Sequence, residues 1–188
     1  RLCFVVGKVE FEDKRVTYDE ITTMRSNGEL PFSQVPVLRI DDGDGSLPQS
    51  YGQTTAILRW AGVKTGLYKH HLQLKIDTML EAFADIHKAL VPAWYRHACG
   101  RSPITGEMYE KTKLTSEQYT AVLEALSTEI LPFRFELIEK CHNQNFGSPQ
   151  FLCDHDLTIA DLVLYTLVTG IQDGSFCDGL STTAFPTS

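Results

Sequence analysis

Two short segments carry residues able to hold a peptide-like ligand: Gln34-Val35-Pro36 and Gln53-Thr54. Proline has no N–H for a sheet ladder, so Pro36 reads as the start or edge of a strand and not as its middle. An X-Pro bond can also be cis. A cis Val35-Pro36 bond would turn the Val35 N–H and C=O away from the sheet, where an extended peptide could pair with them. The alternative is a plain strand-edge proline. Thr54 opens an apolar helical pattern, and a hydroxyl beside free helix-start N–H groups can hold a carboxylate. Its simpler role is that of an N-cap.

Other candidates lie further along. His87, Leu90, Val91 and Trp94 sit on one helical stretch, with His87 expected on its apolar side. A single histidine there is more often a core or interface residue than a catalyst. Asp77, Glu81 and Asp85 recur at one-turn spacing, as a solvent-facing acidic stripe would. Thr158-Ile159-Ala160-Asp161 has capping-box spacing, so Thr158 and Asp161 are read as structural. No metal site is predicted. Counting from Asp42, an EF-hand needs Gly at position six and Glu at twelve, where this chain has Leu47 and Gln53. His70-His71 has no further ligands at metal spacing.

The elements that must position these residues follow from periodicity. Leu2, Phe4, Val5 and Val6 read as the end of a buried helix stopped by Gly7. Val9–Val16 alternates enough for a short strand. Residues 17–29 are polar, with an Asn27-Gly28 turn. Val35–Ile40 reads as a strand, Asp41–Gly45 as a tight acidic turn, and Ser46-Leu47 as the start of a partner strand. A helix runs from Thr54 and stops at Gly62. Residues 63–69 form a candidate linker. Leu72, Ile76, Met79, Leu80, Phe83, His87 and Leu90 follow helical spacing up to Pro92. A polar loop covers 99–113. Tyr119, Val122, Leu123, Leu126 and Ile130 make another stripe, interrupted by Pro132, and Leu157 leads into a strongly apolar final helix ending at Gly170. The expected class is an α/β domain over 1–62 followed by an all-helical domain over 70–188.

Composition narrows the function. The 188 residues are 43% hydrophobic and 22% charged, with a net charge of −7. That balance excludes a nucleic-acid surface, which needs a basic patch. No apolar run approaches the ~20 residues that span a bilayer, so no membrane role is expected. The five cysteines, Cys3, Cys99, Cys141, Cys153 and Cys177, include no C-x-x-C pair. They read as reduced thiols of a cytoplasmic protein. The chain opens in mid-pattern without an initiator methionine, as a fragment would.

The order of these segments resembles the cytosolic glutathione S-transferases, particularly the sigma-like branch. Phe11-Glu12-Asp13-Lys14-Arg15 is similar to that family's second-strand segment, and Leu30–Leu38 to its cis-proline segment. Gln53–Trp60 is similar to its third-helix motif, and Leu157–Asp161 to its helix-nucleating capping box. The resemblance implies a thioredoxin-like N-terminal domain lacking its first strand, a helical-bundle C-terminal domain, and a homodimer. It implies glutathione as co-substrate, with the Val35 backbone pairing with its cysteinyl part and Gln53 and Thr54 at its γ-glutamyl carboxylate. Gln34 and Arg25 would meet the glycyl end, and Asp85 would reach across the dimer to the γ-glutamyl amine. His87, Leu90, Val91 and Trp94 would line the pocket for a small hydrophobic electrophile. The family's thiol-activating Tyr is expected upstream of Arg1, and the family's Ser after Gln is Thr54 here. The implied reaction is addition of the glutathione thiolate to an electrophile, or a glutathione-dependent isomerisation. The alternative is a non-catalytic binding or structural relative. A thioredoxin-type oxidoreductase is disfavoured by the lack of C-x-x-C.

Overall fold

The computed structural model describes residues 1–41, 43, 45–95, 97–98, 112–176 and 180. The chain divides into two compact units, Arg1–His71 and Leu72–Ser188. Most of the predicted 99–113 loop, Asp42 and Asp44 of the acidic turn, Cys99, Cys177 and most of the tail lie outside the described residues.

In the first unit, helix α1 (Leu2–Val6) buries Cys3 and Phe4. Phe4 meets Phe11 at 5.1 Å and the edge of Trp60 at 6.3 Å between ring centroids. Helix α3 (Thr54–Thr65) packs against α1. Gly7 ends α1 as expected, and it has a second duty. A Cβ built there would lie 2.4 Å from both Cβ and Cγ2 of Thr65, so the two helices meet through the missing side chain.

Four expectations for this unit are corrected. Helix α3 does not stop at Gly62, which is buried within it. It runs to Thr65 and ends at Gly66, whose φ of 74° is the left-handed cap that glycine adopts without a Cβ penalty. Residues 17–29, expected only to be polar with an Asn27-Gly28 turn, contain a helix. Tyr18–Ser26 form helix α2, opened by a capping box in which the Glu20 carboxylate accepts the Thr17 N–H at 2.6 Å. Helix α2 buries no residue completely, so its apolar stripe is too weak to show in the sequence. Residues 9–16 form neither a strand nor a helix. Among the described residues the sheet of this unit has two strands, β1 (Leu38–Ile40) and β2 (Gln49–Tyr51), paired antiparallel with Leu38 opposite Tyr51 and Ile40 opposite Gln49. The partner strand thus begins at Gln49, two residues beyond Leu47.

The second unit is built on helix α4 (Gln73–Tyr95), which packs against the later helices α6 (Leu131–Lys140) and α7 (Ile159–Gln172). Ile76, Met79, Leu80, Phe83, Ile86, Leu90 and Ala93 point into the core at one-turn spacing. Each large side chain so buried contributes about 1.5–3 kcal/mol. Ile86 takes the core position expected of His87, which is exposed. Pro92 lies in the last turn of α4 without ending it. A two-residue antiparallel ladder, β3 (His97–Ala98) with β4 (Thr112–Lys113), is the one strand pair in this otherwise helical unit among the described residues.

Helix α5 (Ser116–Ala125) starts at a second capping box, with Gln118 accepting the Thr115 N–H at 3.0 Å. It passes through a π-helical turn, Leu126–Ile130, into α6 (Leu131–Lys140). Pro132, lacking an N–H, falls in the first turn of α6. The widened turn before it lets the chain pass a proline without a break. Helix α7 (Ile159–Gln172) is the strongly apolar one and buries Ile159, Ala160, Leu162, Leu167, Gly170 and Ile171.

Candidate functional site

Antiparallel pairing of β1 with β2 brings Val35-Pro36, just before β1, and Gln53-Thr54, just after β2, to the same end of the hairpin. The Val35-Pro36 bond is cis. Gln34, Val35 and Pro36 are exposed, and Val35 lies outside the ladder, which begins at Leu38.

The turn before this segment is pinned to the start of α3. Pro31–Ser33 form a single helical turn, in which Phe32 and Ser33 hold φ of 56° and 55°. Gly52 receives this turn closely: a Cβ there would lie 3.1 Å from Phe32 Cδ2 and 3.3 Å from Pro31 Cβ. Arg25, from α2, donates its Nε–H to the Ser33 carbonyl at 2.8 Å. The structure therefore brings Arg25, Gln34, Val35, Pro36, Gln53 and Thr54 to one exposed corner. Arg25 is a strut of that corner, and part of its guanidinium remains beyond the bond to Ser33. Gly52 and Phe32 had no signal in the sequence beyond an unassigned glycine and an aromatic residue next to proline.

The N-terminus of α3 is open. Its N-cap is Gln53 and not Thr54, and Gln53 makes no side-chain capping bond. Thr54, Thr55 and Ala56 are exposed, and no acidic residue stands in the first turn. Unsatisfied N–H groups and the positive end of the helix dipole are thus presented to solvent, which favours an anion by about 0.3–1 kcal/mol. Gln53 itself holds φ 72° and ψ 109°, a region that L residues avoid. Three non-glycine residues with positive φ, Phe32, Ser33 and Gln53, gather at this corner. Strained backbone of this kind costs about 1–3 kcal/mol per residue and collects at ligand sites. Gln53→Gly should therefore raise the unfolding free energy by about 1 kcal/mol, read as a higher midpoint in denaturant. An unchanged or lower midpoint would show that the Gln53 backbone carries no strain.

The candidates of the second unit are dispersed. Asp85 sits between Lys88, whose Nζ is 3.1 Å from Oδ1, and Arg134 of α6, whose Nη1 is 3.7 Å from Oδ2. Leu90 is fully buried, so it offers no surface to a ligand in this conformation. Val91 is half-buried. His87 and Trp94 stand together on the outer side of α4, with ring centroids 5.3 Å apart and planes nearly perpendicular. Partial burial pushes the His87 imidazole below its ordinary value of 6.5.

Asp161 is a structural anchor. Its Oδ2 accepts the Thr158 N–H at 2.8 Å and the Thr158 hydroxyl at 2.7 Å, and its Oδ1 accepts the Leu152 N–H at 2.8 Å. The free cysteines among the described residues are Cys3, Cys141 and Cys153. Burial, reinforced by the Asp161 carboxylate, pushes the Cys153 thiol up to about 12. Burial also raises Cys3. Alkylation of the native protein at pH 8 should modify half-buried Cys141 and spare Cys3 and Cys153, as read by peptide mapping. Modification of Cys153 as fast as Cys141 would contradict this placement, because the thiolate is the reacting form.

This fold is the glutathione S-transferase fold. A sigma-class glutathione S-transferase of Fasciola hepatica superposes with a TM-score of 0.70 at 19% identity, covering 92% of this chain and 72% of that one. Residues 101–187 match the family model described as the glutathione S-transferase C-terminal domain. Glutathione S-transferase A3 of Mus musculus is 29% identical over 92% of this chain and 68% of its own length. S-crystallin 2 of Octopus vulgaris is 27% identical over 88% of this chain and 71% of its own. The chain is similar to these glutathione S-transferases and S-crystallins in sequence, and it spans about two thirds of the length of these curated relatives.

Proposed function

We propose that this protein is a glutathione transferase whose first unit binds glutathione along the corner between Gln34 and Thr54. The observation that carries this reading is the open N-terminus of α3 beside the exposed Gln34-Val35-Pro36 segment. In this reading the γ-glutamyl carboxylate rests on the N–H groups of α3 and on the Thr54 hydroxyl. The Val35 backbone pairs with the cysteinyl residue. Gln34 and the free part of the Arg25 guanidinium meet the glycyl end, where a charge-assisted bond is strongest. Asp85 would meet the γ-glutamyl amine in a homodimer only by yielding its pairs with Lys88 and Arg134. His87, Val91 and Trp94 are the residues of α4 left to contact a hydrophobic electrophile.

The chemistry is loss of the glutathione thiol proton, formation of a carbon–sulfur bond, and departure of a leaving group or protonation of the neighbouring atom. A free thiol near pKa 8.5 is mostly protonated at neutral pH. Each unit by which a donor lowers that value corresponds to roughly 1.4 kcal/mol. None of the residues at this corner is assigned that donor role. The free cysteines support a cytoplasmic location. No helix among the described residues is long and apolar enough to cross a membrane.

Thr54→Ala should weaken glutathione binding about tenfold, the worth of one hydrogen bond to a charged group. Calorimetric titration reads it, and unchanged affinity would remove Thr54 from the site. A second reading is favoured by the S-crystallin match, which is almost as similar as the transferase one: a glutathione-transferase-like protein with a structural role. Conjugation of an activated aryl chloride separates the two.

A further inference from the structure

The chain beyond α7 folds back on itself. Asp173 Oδ1 accepts the Ser175 N–H at 2.9 Å, and the Phe176 N–H donates to the Gly170 carbonyl at 3.0 Å. The Phe176 ring then lies on Gly170, where a Cβ would stand 2.3 Å from its Cε2 and 2.7 Å from its Cδ2. The ring also meets the two aromatic candidates of α4. The ring centroid lies 5.4 Å from His87 and 5.1 Å from Trp94, with interplanar angles of 87° and 68°. Edge-to-face pairs at these distances are each worth about 0.5–1.5 kcal/mol beyond area burial.

The three rings do not behave as a core. Ile171, one residue after Gly170, is 3% exposed, whereas Trp94 is 38% exposed and Phe176 is half-buried. The return turn is short, and Gln172, Asp173 and Ser175 in it are exposed; one exposed bond joins Asp173 to Ser175, and the Ser175 hydroxyl and Phe176 N–H donate to the Gly170 carbonyl at 3.4 and 3.0 Å. Such a segment belongs to the part of a fold that opens first.

We propose that Phe176 is an internal occupant of an aromatic seat made by His87 and Trp94 over Gly170, and that residues 173–176 are a strap which must swing away before a flat apolar ligand can enter. The device is autoinhibitory: the protein's own ring fills the place, and the ligand competes with it. Gly170 is essential to it, because any side chain there would lift the ring off its seat. The inference deepens the reading of His87 and Trp94 as ligand-lining residues and rests on it, while glutathione plays no part.

The test uses the full chain in a Trp60→Phe background. The sequence has two tryptophans, so Trp94 is then the sole reporter. An anilinonaphthalene sulfonate dye serves as the flat probe. Phe176→Ala should raise dye affinity about tenfold, the loss of two aromatic contacts, and should increase acrylamide quenching of Trp94. Gly170→Ala should move both in the same direction while keeping the ring in the chain. Adding Trp94→Leu to the Phe176→Ala chain, scored by dye emission, should abolish the gain. The proposal is overturned if neither Phe176→Ala nor Gly170→Ala raises dye affinity, or if the gain survives Trp94→Leu. Greater quenching of Trp94 with no gain in dye affinity also overturns it, by showing an open seat that takes no flat ligand. Glutathione titrations of the same variants bear on the proposed glutathione site alone.

Discussion

Asp161→Ala should destabilise the protein by about 3 kcal/mol, roughly 1 kcal/mol for each donor left without an acceptor. Thr158 is completely buried, so water cannot replace the carboxylate at its N–H and hydroxyl. The Leu152 N–H is part-buried and loses its acceptor too. Asp161 lies in the first turn of α7, whose apolar face supplies much of the second unit's core. Loss of the anchor therefore loosens both the helix start and the Leu152–Thr158 approach to it. Asp161→Asn keeps the shape but presents an NH₂ to one set of donors, so it should recover little. The midpoint of thermal unfolding by circular dichroism should fall by roughly 10 °C in either variant. Cys153, whose thiol burial and the Asp161 carboxylate push up, should become reactive to alkylating reagents in parallel. A shift under about 1 °C would mean that the three bonds contribute nothing net.

Gly7→Val should be about as damaging, by a different route. Its Cβ would meet Thr65 at 2.4 Å, far inside contact distance. Thr65 is β-branched and has little rotamer freedom in a helix. Its hydroxyl is also committed to the Ala61 carbonyl at 2.8 Å. The side chain cannot turn aside, so the helices must separate and expose Phe4 and Trp60. Overpacking of this kind typically costs about 1–3 kcal/mol, and the β-branch places Val at the upper end. Helix α3 carries the open N-terminus, so its displacement should weaken glutathione binding as well. Chemical denaturation measures the first effect and calorimetry the second. Wild-type stability in this variant would show that α1 and α3 do not meet at Gly7.

The parts legible in the sequence are those where a residue type has a single backbone meaning. Pro36 marks the approach to a strand, which begins at Leu38 and not at Val35, Thr158 with Asp161 marks a helix start, and Gly7 marks a helix end. Helix α2 was missed because periodicity is the main signal and it buries nothing completely. Its Thr17-x-x-Glu20 box was present and could have found it. Gly62 reads as a stop because a glycine that ends a helix and one that is buried inside it look alike without a partner. Positions 86 and 87 both satisfy one-turn spacing, so His87 reads as a core residue, and tertiary packing chooses Ile86. The corner itself was legible only as two separate segments. Its closure by Gly52, Phe32 and Arg25 depends on contacts between residues distant in sequence, which no local pattern encodes. Phe176 was invisible for the same reason.

The central claim is that the open start of α3 holds the γ-glutamyl carboxylate of glutathione. The direct measurement is calorimetric titration of the chain with glutathione and with its analogue in which that α-carboxylate is a neutral amide. The account predicts saturable one-to-one binding of glutathione and an analogue at least about tenfold weaker, the loss expected when a charged acceptor is neutralised. Equal affinity for the two, or no saturable binding of glutathione, would contradict it.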